Sequence, residues 1–498
     1  DYSGSRGLGD VYKRQVYKMK RILIFLVFIS SYVFGQSPNY SEDIAPIIYN
    51  KCLQCHHTGG IGPLSLETYP NAVSNAGLIQ HVVSTGEMPP WPPDTSYQRF
   101  AYENILSIDE IAKITDWITT GVPLGDTNLL PQMPTFSNNS SFGPADLEIQ
   151  IPTYSSTATS NSDDYVCISI PSGLLQDRQV RAIEVIPGNI EIVHHVLVAI
   201  NEFGSPSTTI TPNCMAPMGD QVYTYAPGSL PIEFPADSLN KFGIEIPANS
   251  SIALGLHYPE GTFGQLDSTK VKFYFYPQNT SIREIYTEYL INEGLPPDPP
   301  FSIPPNQITQ MSSTYGPIIN DISVMSIFPH MHLLGKEMEC FAVTPTNDTI
   351  NLVRINKWDF EWQGAYLYKK FLKIPAGSII YAFGSYDNTA SITNPNPVLV
   401  QSGLNTDDEM FVFIFQFLDY EIGDENIVLE NTSLPSSIFD NTIGVSRRLI
   451  YETNLLGQQI KSIKNKPMLM IFDDGSVEKR VIIAVSYTHL TLPTMCVV

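Results

Sequence analysis

Val271-Lys-Phe-Tyr-Phe-Tyr-Pro277 and Met410-Phe-Val-Phe-Ile-Phe-Gln-Phe417 are short runs dense in aromatic and β-branched residues, a composition that reads as β-strand. Leu147-Glu-Ile-Gln-Ile151, Tyr165-Val-Cys-Ile-Ser-Ile170 and Val196-Leu-Val-Ala-Ile200 share this texture, with Pro, Gly and Asn turns between them. The pattern predicts a mainly β chain of the sandwich class. At about 290 residues the stretch exceeds one ordinary sandwich. Two are expected, 144–295 and 296–432, with the boundary in the proline-rich Glu293-Gly-Leu-Pro-Pro-Asp-Pro-Pro300.

Upstream the texture is different. Ile44–Lys51 reads as helix, and from Leu106 to Ile118 apolar residues recur at helical spacing behind a Ser107 cap with Glu110 three residues on. Residues 40–127 therefore read as a small all-α module, and the Pro-, Ser- and Asn-rich 128–143 as a linker. Downstream, Ile443–Ile483 contains a strand, an Asn454–Gly457 turn and a hairpin through Asp474-Gly475, a small β-domain over 443–484.

The ends are read separately. Met19-Lys20-Arg21, the apolar run Ile22–Phe34 and Gly35 form a signal peptide over 19–35, too short to span a bilayer. No later run is long enough for a membrane helix, so export without a transmembrane segment is expected. Residues 1–18 and 486–498 resemble translated adapter sequence and are set aside, with His489 and Cys496. The net charge of -22, from 28 basic and 50 acidic residues, excludes nucleic acid and anionic membranes as partners.

Cys52-Leu-Gln-Cys55-His56 is the attachment pattern of a c-type haem: two thiols one helical turn apart, with the axial imidazole next in sequence. Met88, in Gly86-Glu-Met-Pro-Pro-Trp91, suits the second axial position because the prolines restrict its loop. A disulfide or half a zinc site would not explain the adjoining histidine. His57 and His81 have no partner pattern.

Three further strings hold five of the nine histidines: His194-His195, the lone His257, and His330-Met-His332. Residues two apart on a strand face one side, so His330 and His332 can share a metal while Met331 points away. A thioether such as Met410 is soft, favours copper(I) and argues against zinc. His194, His195 and His257 form an all-imidazole set; adjacent histidines need either a metal held between opposite faces or a local bulge.

Ile192-Val-His-His-Val-Leu-Val198, Leu254-Gly-Leu-His-Tyr-Pro-Glu-Gly261, Pro329-His-Met-His-Leu-Leu-Gly-Lys336, Trp358-Asp-Phe-Glu-Trp-Gln363, Tyr386–Pro397 and Thr406-Asp-Asp-Glu-Met410 together resemble the copper type II, ascorbate-dependent monooxygenases, which include dopamine β-hydroxylase and the peptidylglycine hydroxylating enzymes. The resemblance implies two jelly-roll-like sandwiches facing across a solvent-filled cleft. It further implies an electron-transfer copper on His194, His195 and His257, and an oxygen-activating copper on His330, His332 and Met410. Tyr165 matches a tyrosine near the first site, and Cys167–Cys214 a family disulfide, which leaves Cys340 as a buried free thiol. Phe328 stands where the peptide-amidating members have arginine. Val412 and Ile414 replace their asparagine and tyrosine, so a less polar substrate than a glycine-extended peptide is expected. Residues 443–484 resemble the sorting domain of the Bacteroidetes type IX secretion pathway.

These readings imply an exported enzyme, at the surface of or outside a Bacteroidetes-like bacterium after crossing the periplasm. It hydroxylates a C–H bond of a small molecule with dioxygen, using two copper ions and one covalent haem c. Electrons come from the fused haem c, or from ascorbate, another reductant or a redox partner protein. The rival from a different class is a non-catalytic haem and copper electron-transfer or copper-binding protein.

Overall fold

In the computed structural model, residues 37–134, 142–160, 162–202, 206–214, 216–227, 229, 231–236, 240–292, 294, 298–403 and 405–430 are described, together with strands at 449–453, 459–460, 467–472 and 477–481. The signal peptide and both set-aside ends lie outside them. The chain is mainly β, with 39% strand and 12% helix. It divides into two units, Asp1–Phe439 and Asp440–Val498. Among the described residues no helix is long and apolar enough to cross a membrane.

The first unit begins with helices Ala45–Lys51, Tyr69–Ser74, Ala76–Thr85 and Ile108–Thr119. Ser107 and Glu110 form a reciprocal capping box at the start of the last. These helices close on their own core, where Tyr40, Ile48, Leu53, Ile114 and Trp117 are buried. The Cys52–His56 string follows directly on the first helix.

Within 40–127, however, residues 91–104 are not helical and leave this core. They form a strap across the edge strands of two sheets farther along the chain. Pro93 bridges to Ile355 and Phe100 to Tyr368. The Ala101 N–H donates to the Leu367 carbonyl at 2.7 Å, and Arg354 pairs with Asp94 at 2.7 Å. Phe100, 0% exposed, lies with its ring 5.5 Å from Tyr366 and 5.3 Å from Tyr368, inside the core that serves the sheets.

Two pairs of sheets follow. The first has a six-stranded sheet built around Lys270–Phe275 and Arg178–Ile186, and a five-stranded sheet ordered Ser207–Pro212, Asp164–Pro171, Ser251–Tyr258, His195–Asn201, Asp220–Tyr225. Cys167 and Cys214 form a disulfide, tying the second of these strands to the loop after the first. The other pair has sheets ordered Tyr286–Ile291, Val412–Asp419, Ile322–His330, Tyr366–Ile374 and Ile308–Tyr315, Ile379–Asp387, Gly335–Val343, Thr349–Ile355. Cys340 is buried and free.

The passage between the pairs comes earlier than the proline-rich stretch. Arg283–Glu284 still runs beside Phe242–Ile246, whereas Tyr286–Ile291 already pairs with Val412–Asp419. Arg283 fastens this crossover through two bonds to the Asp424 carboxylate, at 2.5 and 2.9 Å. The second unit is one antiparallel sheet ordered 459–460, 449–453, 467–472, 477–481. Its strands flank the 454–457 and 474–475 turns, which lie outside the described residues.

The strap makes a stability prediction. Truncating a buried phenylalanine costs about 3 to 5 kcal/mol, so Phe100→Ala should lower the unfolding free energy of the full chain by that amount, seen as a lower urea midpoint at an unchanged slope. A loss below about 1 kcal/mol would mean that the strap is not part of the core in solution.

Candidate metal centres

The three-histidine set is built by strand register. His257 pairs across the ladder with His195 on one side and Tyr165 on the other. His194 sits just before the His195–Asn201 strand, and its backbone N–H donates to the His257 carbonyl at 3.0 Å. The chain thus leaves regular strand geometry at the doublet, which lets both neighbouring rings turn to one point. The three side chains present nitrogens within 4.8 Å of one another. His195 Nδ1 lies 3.4 Å from His194 Nδ1 and 3.2 Å from His257 Nδ1.

Burial keeps the His194 and His195 rings in the neutral form that binds metal. It pushes His194 down to about 4, with His257 adding to the shift, and drives His195 well below its ordinary value. Tyr165 lies flat on the His257 ring, centroids 4.2 Å apart and planes 6° apart. An Asp163 carboxylate oxygen lies 3.5 Å from His257 Nε2, on the side away from the cluster, and Thr406 of the second sheet pair donates to that carboxylate.

The second set is at the end of the Ile322–His330 strand. His330 is in register with Val412, so His332 and Met410, each two residues farther along antiparallel strands, come to the same end of the sheet. Met331 is fully buried in the core, and the two imidazoles face each other edge to face, 5.1 Å apart. Each has its Nδ1 occupied: His330 by Gln363 Oε1 at 2.5 Å, His332 by the Asp408 carbonyl at 3.1 Å. These acceptors put the proton on Nδ1 and leave both Nε2 lone pairs for a metal. Burial, then the neighbouring His332, holds His330 at about 3.

Glu409 clamps this end together. Its buried carboxylate accepts the N–H groups of His332 at 2.9 Å, Leu334 at 2.6 Å and Met410 at 3.2 Å. Burial pushes it up to about 7 despite those donors. Trp358 Nε1 donates to the His332 carbonyl at 3.0 Å, and Tyr386 to the Met410 carbonyl at 2.7 Å.

The two sets approach each other closely. Phe360 stacks on His194, centroids 5.4 Å apart, and meets the His332 ring at 6.0 Å. Gln416 Nε2 donates to the Val222 carbonyl at 3.0 Å and Tyr289 to Gln221 at 3.1 Å. These side-chain bridges join the sheet pairs beside the open space that both pairs line.

One chamber of about 1070 Å³ joins the remaining candidates. Cys52, Cys55, His56, Met88 and Trp91 line it from the helical side, His194 from the first sheet pair, and Phe328 and Ile414 from the second. Val412, by contrast, is buried. His56 Nδ1 is held at 3.0 Å from the Leu64 carbonyl, leaving Nε2 for an axial bond, and the buried Trp91 indole N–H has no protein acceptor. These features fit a large, mostly apolar group with a polar edge, as a haem is. The helpers Asp163, Phe360, Gln363 and Glu409 were not read as functional from the sequence. The only trace of them there is adjacency, since Asp163 precedes Asp-Tyr-Val-Cys and the others lie within the Trp358–Gln363 and Thr406–Met410 strings.

Glu409→Ala would leave three buried N–H groups without acceptors, at about 1 to 3 kcal/mol each. We expect a loss of roughly 3 kcal/mol or more in denaturation and weaker copper binding in titrations, with Glu409→Gln, which keeps one oxygen, losing less. Parental stability in the alanine variant would rule out the clamp.

No curated protein matches this chain. Solved structures overlap it only loosely: the major capsid protein P2 of bacteriophage PM2 at 7% identity (56% of this chain, 100% of that one, TM-score 0.23), infectious bursal disease virus Gt strain at 11% (59% and 77%, TM-score 0.15), and the CBM22 tandem domain of Paenibacillus barcinonensis Xyn10C at 8% (54% and 83%, TM-score 0.15). None of these bears on function. The informative match is to a family: residues 284–429, which carry His330, His332 and Met410, match the C-terminal domain of the copper type II ascorbate-dependent monooxygenases.

Proposed function

We propose that the chain is an exported copper monooxygenase that inserts one oxygen atom of dioxygen into a substrate C–H bond, with electrons entering through a fused c-type haem or from an ascorbate-class reductant. The stoichiometry is RH + O₂ + 2e⁻ + 2H⁺ → ROH + H₂O. The observation that carries the reading is the pair of separate, differently built ligand sets, three clustered imidazoles in one and two imidazoles with occupied Nδ1 atoms at the sheet end that also carries Met410 in the other, the second within the matched family segment.

Copper bound in these sets would supply one-electron transfer and dioxygen activation. The protein's own contribution is positional. Gln363 and the Asp408 carbonyl fix ring orientation at His330 and His332, and Met410 offers a soft donor that favours the reduced metal. Phe328 and Ile414 give the neighbouring wall an apolar surface, and among the described residues the chamber carries no arginine to pair a carboxylate. Those features support a small, weakly polar substrate. In this reading the two sheet pairs, joined at Glu284–Tyr286, are jelly-roll sandwiches, 40–127 is the cytochrome, and 443–484 is a type IX sorting domain that directs the protein to or beyond the cell surface.

The test is ¹⁸O₂ turnover of the copper-loaded chain with a panel of small organic substrates, read by mass spectrometry. One labelled oxygen per product is expected, lost in Met410→Ala while the three-histidine copper is retained. Reoxidation of the reduced protein without any oxygenated product would favour a non-catalytic redox protein instead.

Haem attachment is tested separately. His56→Ala should abolish the low-spin c-type absorbance spectrum yet leave copper uptake unchanged, and an unaltered spectrum would remove His56 from the axial position.

A further inference from the structure

We propose that Phe360 is the positioning residue through which the two ligand sets are electronically coupled, an inference that rests on the copper reading above. Three observations carry it. First, of the six candidate copper ligands only His194 lines the chamber shared with Cys52, Cys55, His56 and Met88, so the three-histidine set faces the helical side. Second, the Phe360 ring contacts one imidazole from each set, stacked on His194 at 21° and edge-on to His332 at 77°, both geometries in which aromatic rings attract.

Third, the loop that carries Phe360 is anchored to the second set on both sides. Trp358 holds the His332 carbonyl, and Gln363 holds His330 Nδ1 while its own Nε2 donates to the Phe360 carbonyl at 2.9 Å. The loop that holds the His330 ring and the His332 backbone of one set thus lays a ring on an imidazole of the other. The resulting order in space is chamber, His194, Phe360, His332. Packed ring atoms give a tunnelling electron a denser path than water would.

The step is a simple exchange. With both sets loaded, one electron would pass from copper(I) held by His194, His195 and His257, leaving copper(II) there, to copper(II) held by His330, His332 and Met410, leaving copper(I). No bond to carbon or hydrogen changes. The electron is replaced by an ascorbate-class reductant, directly or through the haem.

The test uses the full chain loaded with copper(II) and mixed with one electron equivalent of ascorbate per two coppers. Freeze-quench EPR then follows redistribution of copper(II) between the two environments. Phe360→Leu keeps an apolar side chain and removes the ring. It should slow redistribution roughly tenfold or more, with copper content, the line shape of each copper(II) signal and the melting temperature as in the parent. Phe360→Tyr, which keeps the ring, should redistribute at close to the parental rate.

A leucine variant as fast as the parent overturns the proposal, as does one slowed only together with altered line shapes or lost copper, which would mark a structural role. A parent chain that takes up no copper in these sets overturns the copper reading as well. Two bound coppers with an unchanged rate overturn this inference alone.

Discussion

Antiparallel register is the constraint on which both ligand sets depend. His257 opposite His195 and His330 opposite Val412 are backbone pairings, and slipping either by one residue would turn every side chain of that strand to the other face. Nothing local to an imidazole could then restore the cluster. The ligands also sit where regular pairing ends, His194 just before a strand and His332 just beyond one, because only there can neighbouring residues bend toward a common point. Rigid ladders thus supply the placement, and their ends supply the freedom that a doublet or an HxH pair needs.

Around that frame, charge is handled by burial. Four of the five clustered histidines are held below their ordinary basicity, and the buried Glu409 is held above the usual carboxylate range. A buried polar group is tolerated when it has partners. Glu409 has three N–H donors, and through them it links the two arms of one ligand set.

What the sequence made legible is what has short range or a fixed period. The alternating strands gave the mainly β class. The Ser107 and Glu110 cap is visible because its partners are three residues apart, and the Cys167–Cys214 pairing followed from the family resemblance. The histidine strings were equally plain. By contrast, Phe100 looks like any aromatic in a loop until Tyr366 and Tyr368 are brought beside it. The passage at Tyr286 rather than in the proline-rich stretch depends on a partner strand more than a hundred residues later. Phe360, Gln363 and Glu409 act through contacts between distant segments, and no periodicity encodes those.

The strap also bears on how such a chain could be assembled from parts. A helical segment joined to a β body through one terminal linker can be gained, lost or exchanged as a unit. Here residues 91–104 leave the helices, contribute Phe100 to the sheet core and return, with Asn104 donating to the Lys51 carbonyl beside the Cys52 string. A fragment cut at the end of the helical segment would carry that phenylalanine into water, and the β body left behind would show an open groove between Tyr366 and Tyr368. The two parts are interlaced, so a recombination event between them would have to preserve both faces of the strap at once, and their sequences are expected to vary together.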